Sequence, residues 1–185
     1  RPILQRNEVE VAIHCAPDLP LVVCRAQEIQ QVLMNLLTNA CDALNARYPS
    51  RDPNKTVSVS LHWVATDGRD WVRTTVEDRG EGMTPDVQAR IFSPFFTSKK
   101  EKGGVGLGLW ICQSIVRDHQ GKLWVESEVG RYTRFHLDIP VDGAGCERQI
   151  RVQQQESGEA FEGPKPVAGR EPKAERRADE WRSVS

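Results

Sequence analysis

Residues 26–45 carry a long run of helical periodicity, and this run limits the folds open to the chain more than any other feature. Its apolar residues recur at spacings of three and four: Ile29, Val32, Leu33, Leu36, Leu37, Ala40 and Leu44. Such spacing predicts an amphipathic helix whose broad apolar side must be covered by a second layer. Two proline-containing turns, Tyr48-Pro49-Ser50 and Asp52-Pro53-Asn54, indicate where the helix ends.

The second layer is predicted to be a β-sheet, because most other segments before residue 140 alternate apolar and polar residues. Strands are predicted at 7–13, 57–63, 71–77, 122–127 and 132–139, with a short strand or an extended lead-in at 21–24. The dipeptide Asp67-Gly68 predicts a tight hairpin turn.

Two shorter helices are predicted at about 85–92 and 107–119. Thr84 is a suitable N-cap followed by Pro85, and Gly121 is the expected C-terminal glycine of the later helix. Strands and helices are mixed without the regular alternation of a doubly wound parallel sheet. The predicted fold class is therefore α+β, a two-layer sandwich with helices on one face of a mixed sheet.

Residues 141–185 differ from the rest of the chain in composition. Only six of them are Leu, Ile, Val or Phe, and they include Gly163-Pro164-Lys165-Pro166. So few apolar residues do not build a core, which predicts a disordered tail or linker after a folded domain of residues 1–140. A helix over 173–182, docked through Trp181, is the alternative.

The charges nearly cancel, with 25 Lys and Arg against 26 Asp and Glu. This balance argues against a broadly basic nucleic-acid binder. No apolar run approaches the roughly 20 residues that cross a bilayer, so we expect no membrane contact by this segment. Five cysteines without a CxxC pair are expected to be reduced and buried, as in a cytoplasmic protein. The chain begins with Arg1 and has no signal peptide, so we expect part of a longer protein.

A polar stripe runs along the long helix beside its apolar side. Gln31, Asn35, Asn39 and Asp42 form it at spacings of four, four and three. Asparagine is unfavourable inside a helix, because its side chain competes for backbone groups. Amide oxygens on one helical face can coordinate Mg²⁺ together with phosphate oxygens. A solvated helix face is the alternative.

Two glycine-containing segments have residues suited to binding a planar ligand and a polyphosphate. Asp78-Arg79-Gly80-Glu81-Gly82 follows a strand, so its carboxylate can accept an exocyclic amine while the glycines admit a planar ligand. Gly104, Gly106 and Gly108 precede a helix and follow Lys99, Lys100 and Lys102, an arrangement that suits a polyphosphate. Each segment alone is also compatible with an ordinary turn or loop.

In this order the segments resemble the ATP-binding catalytic domain of sensor histidine kinases, over about residues 1–140. Residues 31–40 resemble the N box, 78–83 the G1 box, 92–99 the F box and 104–109 the G2 box. The ending Asp42-Ala43-Leu44 is more similar to the nitrogen-regulation type than to the osmosensor type. The resemblance implies a Bergerat fold that binds ATP with Mg²⁺.

The resemblance also assigns roles to residues. It implies an ATP site formed by Asn35, Asn39, Asp42, Asp78, Gly80, Gly82, Met83, Phe95, Lys99, Gly104, Gly106, Leu107, Gly108, Leu109 and Thr133. Asn39 would ligate Mg²⁺ with support from Asn35, and Asp78 would accept from the adenine amine. Residues 93–104 would form a lid over ATP, anchored by Phe95 and Phe96. Thr133 would assist adenine recognition, although Tyr132 stands where the family usually has glycine.

The same fold also serves ATP hydrolases, which carry a glutamate one turn before the Mg²⁺-binding asparagine. Here that position is Asn35, and an amide cannot act as a general base. This favours phosphoryl transfer to a protein over hydrolysis. An ATP-binding regulatory module, or a serine kinase of the anti-sigma type, is the alternative.

The histidine that accepts phosphate in the family lies on a helical hairpin before the ATP domain. His14, His62, His119 and His136 lie in strand patterns or at a helix end and are interpreted as structural or surface residues. The expected partners are therefore that hairpin, through which the protein would form a homodimer, and a cognate response regulator. We expect a cytoplasmic domain, whether or not the full-length protein is anchored to the inner membrane.

Overall fold

The computed structural model describes residues 9–97 and 105–141. The predictions that fall on residues 1–8, 98–104 and 142–185 lie outside this described part. The elements within it are β1 Glu10–Cys15, α1 Ala26–Arg47, β2 Thr56–Thr66, β3 Arg69–Asp78, α2 Pro85–Arg90, α3 Gly108–Asp118, β4 Lys122–Glu128 and β5 Tyr132–Pro140.

The five strands form one mixed sheet in the order β1-β2-β3-β5-β4. β1 runs parallel to β2, and the other neighbours are antiparallel. The helices pack on one face of the sheet. On β3 this face carries the buried residues Val72, Thr74, Val76 and Asp78, and the alternate residues Arg73, Thr75 and Glu77 are less buried. This arrangement confirms the predicted α+β sandwich.

The core lies between α1 and the sheet. Val32, Leu36 and Leu44 of α1 are fully buried, as the helical spacing predicts. Their partners come from the sheet and from α3: Val57, Val76, Phe135, Leu137, Cys112, Ile115 and Val116. Burial of each such aliphatic side chain contributes about 1.5–3 kcal/mol. The rest of α1 is thereby held in one orientation, with its polar stripe at the edge of the core.

The N-terminal region differs from its prediction in two ways. Residues 21–24 do not form a strand, so of the two predicted forms the short strand is wrong. Cys15 is exposed, which makes the prediction of burial wrong for this residue, because it ends an edge strand that is exposed over its last three residues. Cys24 is half-buried, and Cys41 and Cys112 are buried as expected.

The end of α3 also differs. The left-handed residue after the helix is Gln120, with φ 54°, so Gly121 is not the C-terminal glycine that we predicted. The Gly121 N–H still closes the helix by donating to the Val116 carbonyl at 2.8 Å. Glycine is needed there for space, because a β-carbon would lie 2.5 Å from the carbonyl oxygen of Asp138.

The Asp67-Gly68 turn is confirmed. Both residues have positive φ, 54° and 71°, as a two-residue hairpin loop of type I′ requires. The turn fixes the register of β2 against β3, in which Val57 pairs with Asp78.

The sheet face opposite the helices carries a half-buried imidazole, that of His136 on β5. Its Nδ1 lies 2.9 Å from Thr75 Oγ1, and its ring stacks on Trp124. Its Nε2 lies 3.7 Å from Glu126 Oε2 and has no hydrogen-bond partner within the described residues. Burial lowers the pKa of His136; nearby Arg73 and Arg134 lower it further, and Glu126 and Asp138 oppose the shift.

Because the pKa of His136 is lower in the folded than in the unfolded state, the folded state binds this proton less readily. We expect the free energy of unfolding to be highest above pH 6.5 and to fall as the pH drops through the folded-state pKa, by at most about 1.4 kcal/mol per pH unit. Urea unfolding between pH 7.5 and pH 5 measures this slope. His136→Gln should flatten it and the exposed His62→Gln should not; equal slopes in all three proteins would contradict the assignment.

Candidate nucleotide site

A cavity of about 840 Å³ opens between α1, the end of β3 and the start of α3. It brings together the following residues of the predicted ATP site: Asn35, Asn39, Asp42, Asp78, Gly82, Met83, Gly106, Leu107, Gly108, Leu109 and Thr133. Its volume lies within the range of about 300–1,000 Å³ that is typical of small-molecule and cofactor sites.

One wall is the polar stripe of α1. Asn35, Asn39 and Asp42 line the cavity, whereas Gln31, at the N-terminal end of the stripe, is exposed outside it. The Asn35 amide nitrogen donates to Cys112 Sγ at 3.4 Å. Burial raises the pKa of the Cys112 thiol, so it remains protonated at neutral pH. The hydrogen bond directs the amide nitrogen of Asn35 towards Cys112, inside α3. The amide oxygen lies on the side of Gly108, where α3 begins.

The floor is a buried carboxylate beside a buried hydroxyl. Asp78 ends β3 and pairs with Thr133 of β5, and the two residues are only 3% and 4% exposed. Asp78 Oδ1 accepts a hydrogen bond from the Gly80 N–H at 2.8 Å. Since water reaches neither residue freely, a ligand with N–H donors gains more from them than it would in solution.

The loop after β3 needs glycine for two different reasons. Gly82 has φ 68°, and a β-carbon there would collide with the backbone carbonyl of Glu128. Gly80 does not line the cavity but packs under the loop, where a β-carbon would lie 2.6 Å from the Ala43 side chain. Arg47 holds the loop from the end of α1 by donating to the carbonyls of Arg79 and Gly80 at 3.0 and 2.9 Å.

The opposite wall is the start of α3. Gly106 has φ 73° and packs against the backbone of Phe96, and Leu107 and Gly108 lead into the helix. Backbone N–H groups at a helix N-terminus favour anionic groups such as phosphates. Phe95, predicted to contact ATP, is 71% exposed and does not line the cavity, whereas Phe96 does. Lys99 and Gly104 lie outside the described residues.

Sequence reasoning missed several residues that line the cavity: Thr38, Ala43, Ala46, Glu81, Val87, Ile91, Thr97, Val105 and Phe135. The helical spacing that singled out Asn39 could have found Ala43 and Ala46, which continue the same side of α1 by four and three residues. These small side chains leave room for a flat ligand against the helix.

The chain is similar in sequence to proteins of known families. Residues 24–143 match the family described as Histidine kinase-, DNA gyrase B-, and HSP90-like ATPase. Sporulation kinase E of Bacillus subtilis (strain 168) is 33% identical over 143 residues, which cover 77% of this chain and 18% of that protein. The adaptive-response sensory kinase SasA of Gloeothece citriformis (strain PCC 7424) is 34% identical over 139 residues, covering 74% of this chain and 33% of that protein.

Solved structures agree with these relatives. The catalytic domain of the histidine kinase ThkA in a nucleotide-free form superposes with a TM-score of 0.58 and 27% identity, covering 76% of this chain and 84% of that one. Full-length ShkA in complex with AMPPNP gives 0.58 and 29%, covering 75% of this chain and 27% of that one.

The chain therefore belongs to the histidine kinase-, gyrase B- and HSP90-like ATPase family. Within the family its sequence and fold are those of a sensor histidine kinase catalytic domain. It spans only about a fifth to a third of the length of the curated relatives described above.

Removing the Asp78 carboxylate tests the floor of the site. We expect Asp78→Ala to abolish ATP binding in a fluorescent-nucleotide titration, because a buried donor of the ligand would lose its acceptor. Asp86→Ala, an exposed position on α2 outside the cavity, is the control and should bind as the native domain does. Unchanged affinity in a folded Asp78→Ala domain, with folding checked by circular dichroism, would remove the assignment.

Proposed function

We propose that this domain positions Mg²⁺-ATP so that the γ-phosphoryl group passes to a histidine on a helical hairpin that is not among the described residues. The observation that carries this proposal is Asn35. It lies one helical turn before Asn39, and its amide nitrogen donates a hydrogen bond to Cys112 Sγ. An amide at this position cannot deprotonate water, so the site favours transfer over hydrolysis. Phosphoryl transfer depends mainly on positioning and on charge stabilisation, which this cavity supplies.

Different parts of the cavity would position different parts of the nucleotide. Asp78 and Thr133 hold the base, and Gly82 admits it close to the backbone. The N-terminus of α3 receives the phosphates. The base-binding end and the phosphate-binding end of the cavity belong to elements that share one hydrophobic core. The nucleotide is therefore oriented before a partner binds.

Magnesium fits the α1 wall. The Asn35 oxygen lies near the α3 N-terminus, where the phosphates would bind, and Asn39 lines the same cavity. Carbonyl oxygens are ligands that Mg²⁺ accepts. Within the described ranges no group of three or more His, Cys, Asp or Glu could hold a metal. We infer that Asn39, supported by Asn35, holds the ion together with phosphate oxygens, where it would neutralise their charge.

This assignment predicts a magnesium-specific defect. Asn39→Ala should lose most of the gain in ATP affinity that Mg²⁺ gives, because one ligand of the ion is removed. Titrations with MgCl₂ and with EDTA measure that gain. Gln31→Ala, from the exposed end of the same stripe, should keep it; an equal gain in Asn39→Ala and the native domain would show that Asn39 does not hold the ion.

The acceptor is expected on another part of the protein. His14 and His62 are exposed on the sheet. His119 is hydrogen-bonded at the end of α3, and His136 is hydrogen-bonded within the sheet. None of the four lines the described cavity. We propose that the phosphate passes first to a hairpin, which also makes the homodimer, and then to a response regulator.

The folded domain is proposed to end with β5 near residue 140, and residues 141–185 to serve as a tail or linker. Within the described residues, no helix combines the length and the apolar character that crossing a membrane requires. We propose that the domain acts in the cytoplasm.

A transfer experiment tests the proposed reaction. The domain is mixed with a separately made phosphoacceptor hairpin of a relative and with ATP labelled at the γ-phosphate. We expect label on the hairpin that is lost in acid and kept in base, as for phosphohistidine. A hairpin with its histidine replaced by alanine is the control. Label released only as free phosphate would contradict the proposal.

A further inference from the structure

Ser127 of β4 touches three groups behind the floor of the nucleotide site. Its Oγ accepts a hydrogen bond from the Met83 N–H at 2.8 Å and donates to the Tyr132 carbonyl at 2.8 Å. It also lies 3.0 Å from Thr133 Oγ1. Ser127 does not line the cavity, but Thr133 does, so Ser127 reaches the ligand only through Thr133.

The direction of the hydrogen bond between Ser127 and Thr133 depends on which acceptor receives the single Ser127 hydroxyl proton. A hydroxyl has one proton, and a backbone carbonyl can only accept. The Tyr132 carbonyl is the nearer of the two acceptors open to Ser127, at 2.8 Å against 3.0 Å, so we assign the Ser127 proton to it, and Ser127 then accepts from Thr133. Thr133 donates its own hydroxyl proton to Ser127, so on the cavity side the Thr133 oxygen can only accept hydrogen bonds.

We propose that Ser127 is a specificity-determining positioning residue, which turns Thr133 into a pure acceptor and so selects a base that carries an amino group. Asp78, the β-sheet partner of Thr133, is also an acceptor when ionised. The two neighbours then present oxygens without a proton to the same part of the ligand. This inference rests on the proposed ATP site and assigns the residue that sets its base preference.

The chemistry separates 6-amino from 6-oxo purines. An exocyclic amino group can donate to these oxygens. A 6-oxo purine has one donor on this edge, its N1–H, which can pair with only one of the two oxygens. Its 6-oxo group would face the other oxygen with lone pairs of its own and would remain unpaired in a buried site, which is costly. If Ser127 were absent, the Thr133 hydroxyl could rotate and donate to the 6-oxo group.

The test compares the affinities of ATP and inosine triphosphate for the native domain and its variants. Ser127→Ala should reduce the preference for ATP by about tenfold, which corresponds to one buried hydrogen bond. Ser127→Thr keeps the hydroxyl and should keep the preference. In a Thr133→Val background, where no hydroxyl can rotate, Ser127→Ala should have no further effect on the preference.

The outcomes separate this inference from the proposed function. A native domain that binds no ATP contradicts the proposed function. A native domain that binds ATP, with the same ATP preference in Ser127→Ala, overturns the role of Ser127 alone. If thermal unfolding shows that Ser127→Ala does not fold, Ser127→Cys replaces it, since a thiol fills the same space and hydrogen-bonds weakly. An unchanged preference in a folded Ser127→Cys overturns the role in the same way.

Discussion

The packing of α1 on the sheet is the contact on which the rest of the structure depends. Leu36 and Leu44 are fully buried on its apolar side, so the helix cannot rotate without exposing them. The orientation of Asn35 and Asn39 in the cavity is therefore fixed by the hydrophobic core and not by the polar residues themselves. The same contact brings α1 so close to the loop after β3 that Gly80 has no room for a side chain beside Ala43.

A second constraint acts through the sheet. Because β5 lies between β3 and β4, Thr133 is placed beside Asp78 and within reach of Ser127. In the function that we propose, adenine at this floor and phosphates at the start of α3 would be oriented by two elements that share one core. Asn35 would supply no general base for hydrolysis.

Much of the fold and of the candidate site could be predicted from local sequence patterns. The spacing of apolar residues gave α1 its position, Asp67-Gly68 the hairpin, and the order of motifs the site. Roles that depend on distant contacts could not be predicted in this way. Glycine is common at helix ends, and this tendency predicts that role for Gly121, yet Gly121 is needed for space beside Asp138. Ser127 was missed because its contact with Met83 joins residues 44 positions apart.

We infer that one cavity holds the adenine base at Asp78 and the phosphates at the start of α3. A crystal structure of the domain with a non-hydrolysable ATP analogue and Mg²⁺ tests it most directly. We expect the amino group of the base within hydrogen-bond distance of the Asp78 carboxylate, and the phosphates near Gly106 and Gly108. A nucleotide bound outside this cavity, or with its phosphates at Asp78, would contradict the account.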